Sequence, residues 1–216
     1  EWAHNYVGHL MGDPNPKRLG KLTLNPMKHI YWQGFLMFVL IGFGILGTAP
    51  ISAHRMRNPR TGYLYAVAAG PLSNLLVAVV FGIVYRLIMG IGGVPTTLVD
   101  QLGGGSAGYI YGLALTPDYL GGQYTFAVFL AIIASQIAFW NLLLFVFNFL
   151  PFFPLDGWHI VLALLPAREA IWWERNAQMS MFIFFALLLF GFATPFDPLG
   201  ILVTQPVNFL TGIVMG

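Results

Sequence analysis

The sequence has no cysteine and very little charge. Among 216 residues there are 10 Lys and Arg against 8 Asp and Glu, and charged residues make up only 8% of the chain. A soluble domain carries about 25% charged residues, so this chain lacks the polar surface of a cytosolic globular enzyme or a disordered protein. A formal charge of +2 spread over so few groups gives no basic patch, and nucleic acid is excluded as a partner. The absence of cysteine removes disulfides and thiolate metal sites, but leaves the compartment open. No Lys-Ser/Thr follows Gly103-Gly104-Gly105, so those glycines are not a phosphate loop. No internal repeat is present, which argues against a transporter built of two related halves.

What is abundant is apolar: 57% hydrophobic and 16% aromatic residues. A bilayer core of about 30 Å needs about 20 apolar residues in a helix. No formal charge occurs between His29 and His54, Arg60 and Arg86, Asp118 and Asp156, or Arg175 and Asp197. The spans expected inside these stretches are Phe35 to Ala49, Leu64 to Val84, Thr125 to Leu150 and Met179 to Ala193. The tail from Pro198 to Gly216 is apolar but interrupted by Pro206. It reads as a short span, a re-entrant piece or an interfacial helix. The alternation of a membrane barrel is absent, and lipid otherwise admits only helices. The expected fold is an all-α polytopic transmembrane helical bundle. It forms one membrane-embedded domain over residues 1–216, with about five or six spans including an N-terminal helix that starts ahead of Glu1. A short β segment is expected near residues 20–25, at Lys21-Leu22-Thr23-Leu24. Lys and Arg divide five against five between the two sides, so they set no orientation.

Ionisable and amide side chains inside lipid are costly, and each is a functional candidate. Glu1-Trp2-Ala3-His4 has the spacing of the last four letters of HExxH. On a helix, two His at i and i+4 share a face and hold zinc, while the Glu after the first acts as general base. The first His would stand immediately before Glu1, and the natural chain is expected to begin earlier. Asp156, in Pro154-Leu155-Asp156-Gly157, ends a 37-residue uncharged stretch. It is a candidate metal ligand, a helix N-cap or part of an Asp-Gly turn. Gly70-Pro71-Leu72-Ser73-Asn74 puts a proline inside a span. That frees backbone groups, which Ser73 and Asn74 could satisfy, or Asn74 could face a reaction centre. Gln136, Asn141 and Asn148 read either as a polar path or as interhelical hydrogen-bond donors. His159 reads as a neighbour supporting Asp156 or as a helix-start residue.

Taken together, Glu1-x-x-His4, Gly12-Asp13, Leu24-Asn25-Pro26, Gly70-Pro71-x-x-Asn74 and Asn148-x-x-Pro151-x-x-Pro154-Leu155-Asp156-Gly157 resemble the site-2 protease family of intramembrane zinc metalloproteases. The likeness runs to about Pro166 and is nearest to small bacterial members without appended domains. It implies a zinc ion, Zn(2+), held by His4, Asp156 and a His before Glu1. Glu1 is then the catalytic base. Asn74 supports the oxyanion or substrate, together with Gly70, Pro71 and Asn148, and Gly157 sits beside the ligand Asp. The implied substrate is a transmembrane protein within the lipid bilayer, and the implied location is a bacterial plasma membrane. Two positions depart from the family pattern: Trp158 stands where a second glycine is usual, and His9 where a small residue is usual. With the first His lying outside the chain, these departures motivate an alternative, a non-catalytic protease-like subunit packed in a larger membrane complex.

Overall fold

A computed structural model describes residues 1–41, 47, 49–92, 125–195 and 197–216. The helices are α1 (Trp2–Leu10), α2 (Asn15–Arg18), α3 (Trp32–Ile41), α4 (Pro59–Gly92), α5 (Thr125–Asn148), α6 (Asp156–Leu164), α7 (Ala167–Arg175), α8 (Ala177–Ala193) and α9 (Pro198–Met215). Single 3-10 turns occupy Pro26–Lys28 and Ala53–Arg55. The fold is an all-α helical one, as the uncharged runs require.

The β segment expected at Lys21 to Leu24 does not form; those residues are bends. Local side-chain bonds take the backbone groups a ladder would need. Thr23 Oγ1 accepts from the Asn25 amide at 3.2 Å, and the Thr23 carbonyl accepts from His29 Nε2 at 2.7 Å. Among the described residues, β pairing is limited to an isolated antiparallel bridge between Ile30 and Gly47.

Three of the described helices are long and apolar enough to cross a bilayer: Pro59–Ile91, Phe126–Asn148 and Pro198–Met215. Ala177–Gly191 is apolar but shorter. The helix expected over Leu64 to Val84 extends past both flanking arginines. At 34 residues and 1.5 Å rise, α4 is about 50 Å long, well beyond the hydrocarbon thickness. Parts of the span expected at Phe35 to Ala49, and the glycine-rich loop expected over residues 90–122 from position 93 onward, lie outside the described residues.

The described residues group into two compact units. The first comprises Glu1–Ser73 and Phe147–Leu199; the second comprises Asn74–Val146 and Gly200–Gly216. In the first, Ala66, Val67, Trp158, Ala163 and Phe184 are buried. Phe184 is fully enclosed and lies 5.9 Å from the Phe147 ring and 5.8 Å from that of Phe152, pinning the segment that leads to Asp156.

In the second unit, Val128, Ala131, Ala134, Ala138 and Leu142 form a buried stripe along α5, the small-residue seam typical of membrane helices. Gly82 of α4 meets Val214 of α9 so closely that a Cβ would collide with it. Arg86 donates to the Ile213 carbonyl at 2.6 Å, satisfying one of the free carbonyls at the end of α9. Gln136 and Asn141 of α5 also make local bonds. Trp140 donates to Gln136 at 3.0 Å and Asn141 to the Ile137 carbonyl at 2.8 Å, both bonds lying within α5.

Candidate metal centre

His4 lies on the buried face of α1, which presents His4, Asn5 and Gly8 inward. Gly8 lets the helix approach closely: a Cβ there would come within 2.8 Å of Ile51 and 3.7 Å of Ala66. This contact with Ala66 brings the imidazole to α4, where Nδ1 donates to the Ala66 carbonyl at 2.9 Å. A ring committed in this way carries its proton on Nδ1 and leaves the Nε2 lone pair for a ligand.

Nε2 faces Asp156 Oδ2 at 3.3 Å. In the neutral ring both atoms are acceptors, so the pair is suited to share a cation or a proton. The separation of 3.3 Å can be compared with both. Charge-assisted N–H···O bonds run about 2.7–2.9 Å. Two ligands on one tetrahedral zinc, with Zn–N and Zn–O of about 2.0–2.2 Å, sit about 3.3–3.5 Å apart. The pair therefore has the donor set and the spacing of two corners of a zinc site. Among the described residues, no three His, Cys, Asp or Glu side chains converge to a metal-holding group.

Asp156 is set in place from several sides. It is the first residue of α6, whose N-cap is Leu155, so it is neither the N-cap nor part of the Asp-Gly turn that the sequence allowed. Its carboxylate lies in the favourable first turn of the helix. Gly157 packs against the Phe149 and Leu150 carbonyls so tightly that a Cβ would overlap both. The Phe153 amide donates to buried Ser180 of α8 at 3.1 Å, holding the approach to α6. Trp158, the departure from the family pattern, is 3% exposed. It stacks on Trp173 at 4.3 Å, and its carbonyl accepts from Trp173 Nε1 at 3.2 Å. It is a structural anchor directed at α7.

Gly70 lies on α4 one turn beyond Ala66. A Cβ at this position would run into the imidazole of His4. The glycine in Gly-Pro-x-x-Asn thus has a plain physical task, making room for the ring at Nε2. Pro71 beside it is fully buried. Ser73 Oγ donates to the Gly70 carbonyl at 2.6 Å, one turn back on its own helix. Asn74 follows one turn after Gly70 and belongs to the second unit; Asn148 closes α5 and belongs to the first.

Glu1 caps the start of α1, where its carbonyl accepts from the Asn5 amide at 3.2 Å and from Asn5 Nδ2 at 2.8 Å. Its side chain is exposed and runs beside Gly47, where a Cβ would come within 2.9 Å of Oε1. His9, off the His4 face, donates from Nδ1 to the Asp13 carbonyl at 3.2 Å. Sequence reading missed the Ala66 carbonyl and Gly47, since neither a backbone acceptor nor a lone glycine carries a pattern. It also missed the contacts of Arg60 and Tyr63 described below.

Residues 31–191 match peptidase family M50. The chain belongs to peptidase family M50. This is the site-2 protease family that the motifs resemble. The match contains Gly70, Pro71, Asn148, Asp156 and Gly157, while Glu1 and His4 lie ahead of it. A Bacillus subtilis (strain 168) protein named "Putative zinc metalloprotease YwhC" is 29% identical over 208 residues, 96% of this chain and 79% of its own length. No solved structure matches the chain. Family M50 and the three long apolar helices together describe a membrane protein with a site-2 protease-like, metalloprotease function.

Proposed function

We propose that this M50 chain is the core of an intramembrane zinc metalloprotease. It hydrolyses a peptide bond within or near a transmembrane helix of another protein, in the plasma membrane of a bacterium. The observation that carries the reading is the His4–Asp156 pair, with Nδ1 tied to Ala66 and Nε2 set 3.3 Å from Oδ2.

His4 and Asp156 would hold the metal together with the His that the HExxH register puts before Glu1. Zinc bound there supplies a Lewis acid that polarises the scissile carbonyl and makes water a better nucleophile near neutral pH. Glu1 accepts the proton of the attacking water on its carboxylate and passes it to the leaving amine nitrogen. The Ala66 carbonyl keeps the His4 ring in one tautomer throughout. Gly70 keeps space at Nε2 that any larger residue would fill. The motif assigns Asn74 a donor role toward the developing oxyanion, where loss of one donor costs about 10²–10³ in rate. It assigns Asn148 and Pro71 to substrate support. A substrate helix hides its carbonyls in its own hydrogen bonds, so residues that weaken helices near the cleavage point should speed the reaction.

The test is cleavage of a transmembrane substrate by the full-length protein and its Glu1→Gln variant. General-base removal is expected to lower the rate by about 10²-fold or more, with zinc content and melting temperature unchanged. Cleavage at the parent rate by Glu1→Gln would remove Glu1 from the mechanism, whereas no cleavage by the parent protein, with no bound zinc, would favour the non-catalytic subunit.

A further inference from the structure

Helix α4 and helix α6 are joined by a ladder of polar contacts whose last rung is the candidate metal pair. At the first rung, Arg60 Nε donates to the Ala163 carbonyl at 2.8 Å, and Nη2 to the Leu164 and Leu165 carbonyls at 2.7 and 2.6 Å. Three residues on, the Tyr63 hydroxyl and His159 Nδ1 share a hydrogen bond of 3.1 Å. Another three residues on, the Ala66 carbonyl holds His4, which meets Asp156. Positions 60, 63 and 66 lie along one face of α4. Positions 163, 159 and 156 run the opposite way along one face of α6.

The middle rung is itself constrained. The His159 ring meets Tyr63 edge-on at 6.1 Å and 88°, and packs on Phe153 at 6.0 Å. The upper rung satisfies carbonyls at the C-terminus of α6, where a cation is favoured. A slide of α6 by one residue would move Asp156 by about 1.5 Å, which is enough to destroy a coordination distance. The hydrogen bonds of Arg60 and Tyr63 oppose such a slide.

We propose that Arg60, Tyr63 and His159 are positioning residues for the metal. They lock α6 in register on α4 so that Asp156 meets His4 at coordination distance. The sequence offered His159 as a possible neighbour of Asp156, but no motif points to Arg60 or Tyr63. The inference rests on the metal-site reading above, so its test must separate the two.

Cobalt(II) titration of the full-length protein in detergent, read by its visible ligand-field bands, does so. Tyr63→Phe and His159→Leu are each expected to weaken cobalt affinity by about 10-fold, at the lower end for outer partners of a ligand. The band shape should change because Asp156 binds off-centre. His159→Asn keeps a polar atom at the Nδ1 position and should recover both affinity and spectrum. Circular dichroism identifies variants that remain folded. If Tyr63→Phe does not fold, His159→Leu against His159→Asn decides the matter. Parent affinity and spectrum in Tyr63→Phe and His159→Leu, with no binding by Asp156→Ala, would overturn the positioning role and leave the metal site standing. Undiminished binding by Asp156→Ala would overturn the metal site and the ladder with it.

Discussion

His4 uses both ring nitrogens, and that division of labour depends on its neighbours more than on its spacing from Glu1. Nδ1 is taken by the Ala66 carbonyl, and Nε2 is presented to Asp156 only because position 70 has no side chain. Gly70→Ala is therefore expected to displace the ring. It should cost about 1–3 kcal/mol of stability through overpacking and reduce bound zinc, measured by thermal unfolding and by elemental analysis of the same sample. Asp13 illustrates a different buried carboxylate. It is fully enclosed and accepts from the Asn15 amide at 3.0 Å and the Ser52 amide at 2.6 Å, tying the end of α1 to the segment before Arg55. Asp13→Ala leaves buried amide donors unpaired, so a loss of about 1–3 kcal/mol for each stranded group follows. Zinc content in whatever fraction stays folded should be unaffected. The identities of His4, Asp156 and Gly70 as candidates were legible from motif spacing. The acceptor that fixes the His4 tautomer was not, because a backbone carbonyl looks the same at every position of a sequence.

At the scale of elements, the long helices were legible and their ends were not. Uncharged runs mark α4 and α5 because lipid excludes charge. The helix α4 runs beyond the span expected at Leu64 to Val84 and takes in Arg60 and Arg86. Each lies inside the helix and directs its guanidinium to carbonyls at the end of another helix, α6 for Arg60 and α9 for Arg86. Periodicity gives no warning of such long-range capping. The strand expected at Lys21 to Leu24 failed for the opposite reason: side-chain bonds within a few residues outcompete a ladder. Trp158 belongs at this scale too. Where the family pattern has a small residue, this chain buries an indole between Phe153 and Trp173. Trp158→Gly, which restores the family residue, is expected to destabilise the protein by about 3–5 kcal/mol because α7 has lost its anchor. An unchanged melting temperature in that variant would show that the stack contributes little.

For the whole molecule, the exposed apolar side chains are those a lipid environment would cover. Leu40, Leu76, Ile83 and Ile91 on α3 and α4, Phe126 on α5, Phe182 on α8 and Phe209 on α9 all stand largely open. Large apolar side chains exposed on so many helices mark a membrane or partner contact. The buried polar residues are few; His4, Asn5, Asp13 and Ser180 are the clearest among the described residues. His4, Asp13 and Ser180 each have hydrogen-bond or ion-pair partners that place them on, or in support of, the segments carrying the candidate metal centre. The central claim is that His4 and Asp156 share one metal ion. It is tested most directly by zinc content per chain in the full-length protein and its Asp156→Ala variant, both purified without added metal or chelator. The account predicts about one zinc per chain in the parent, as one three-ligand site would hold, and little in the variant, with both proteins equally helical. Equal zinc in the two proteins would contradict it.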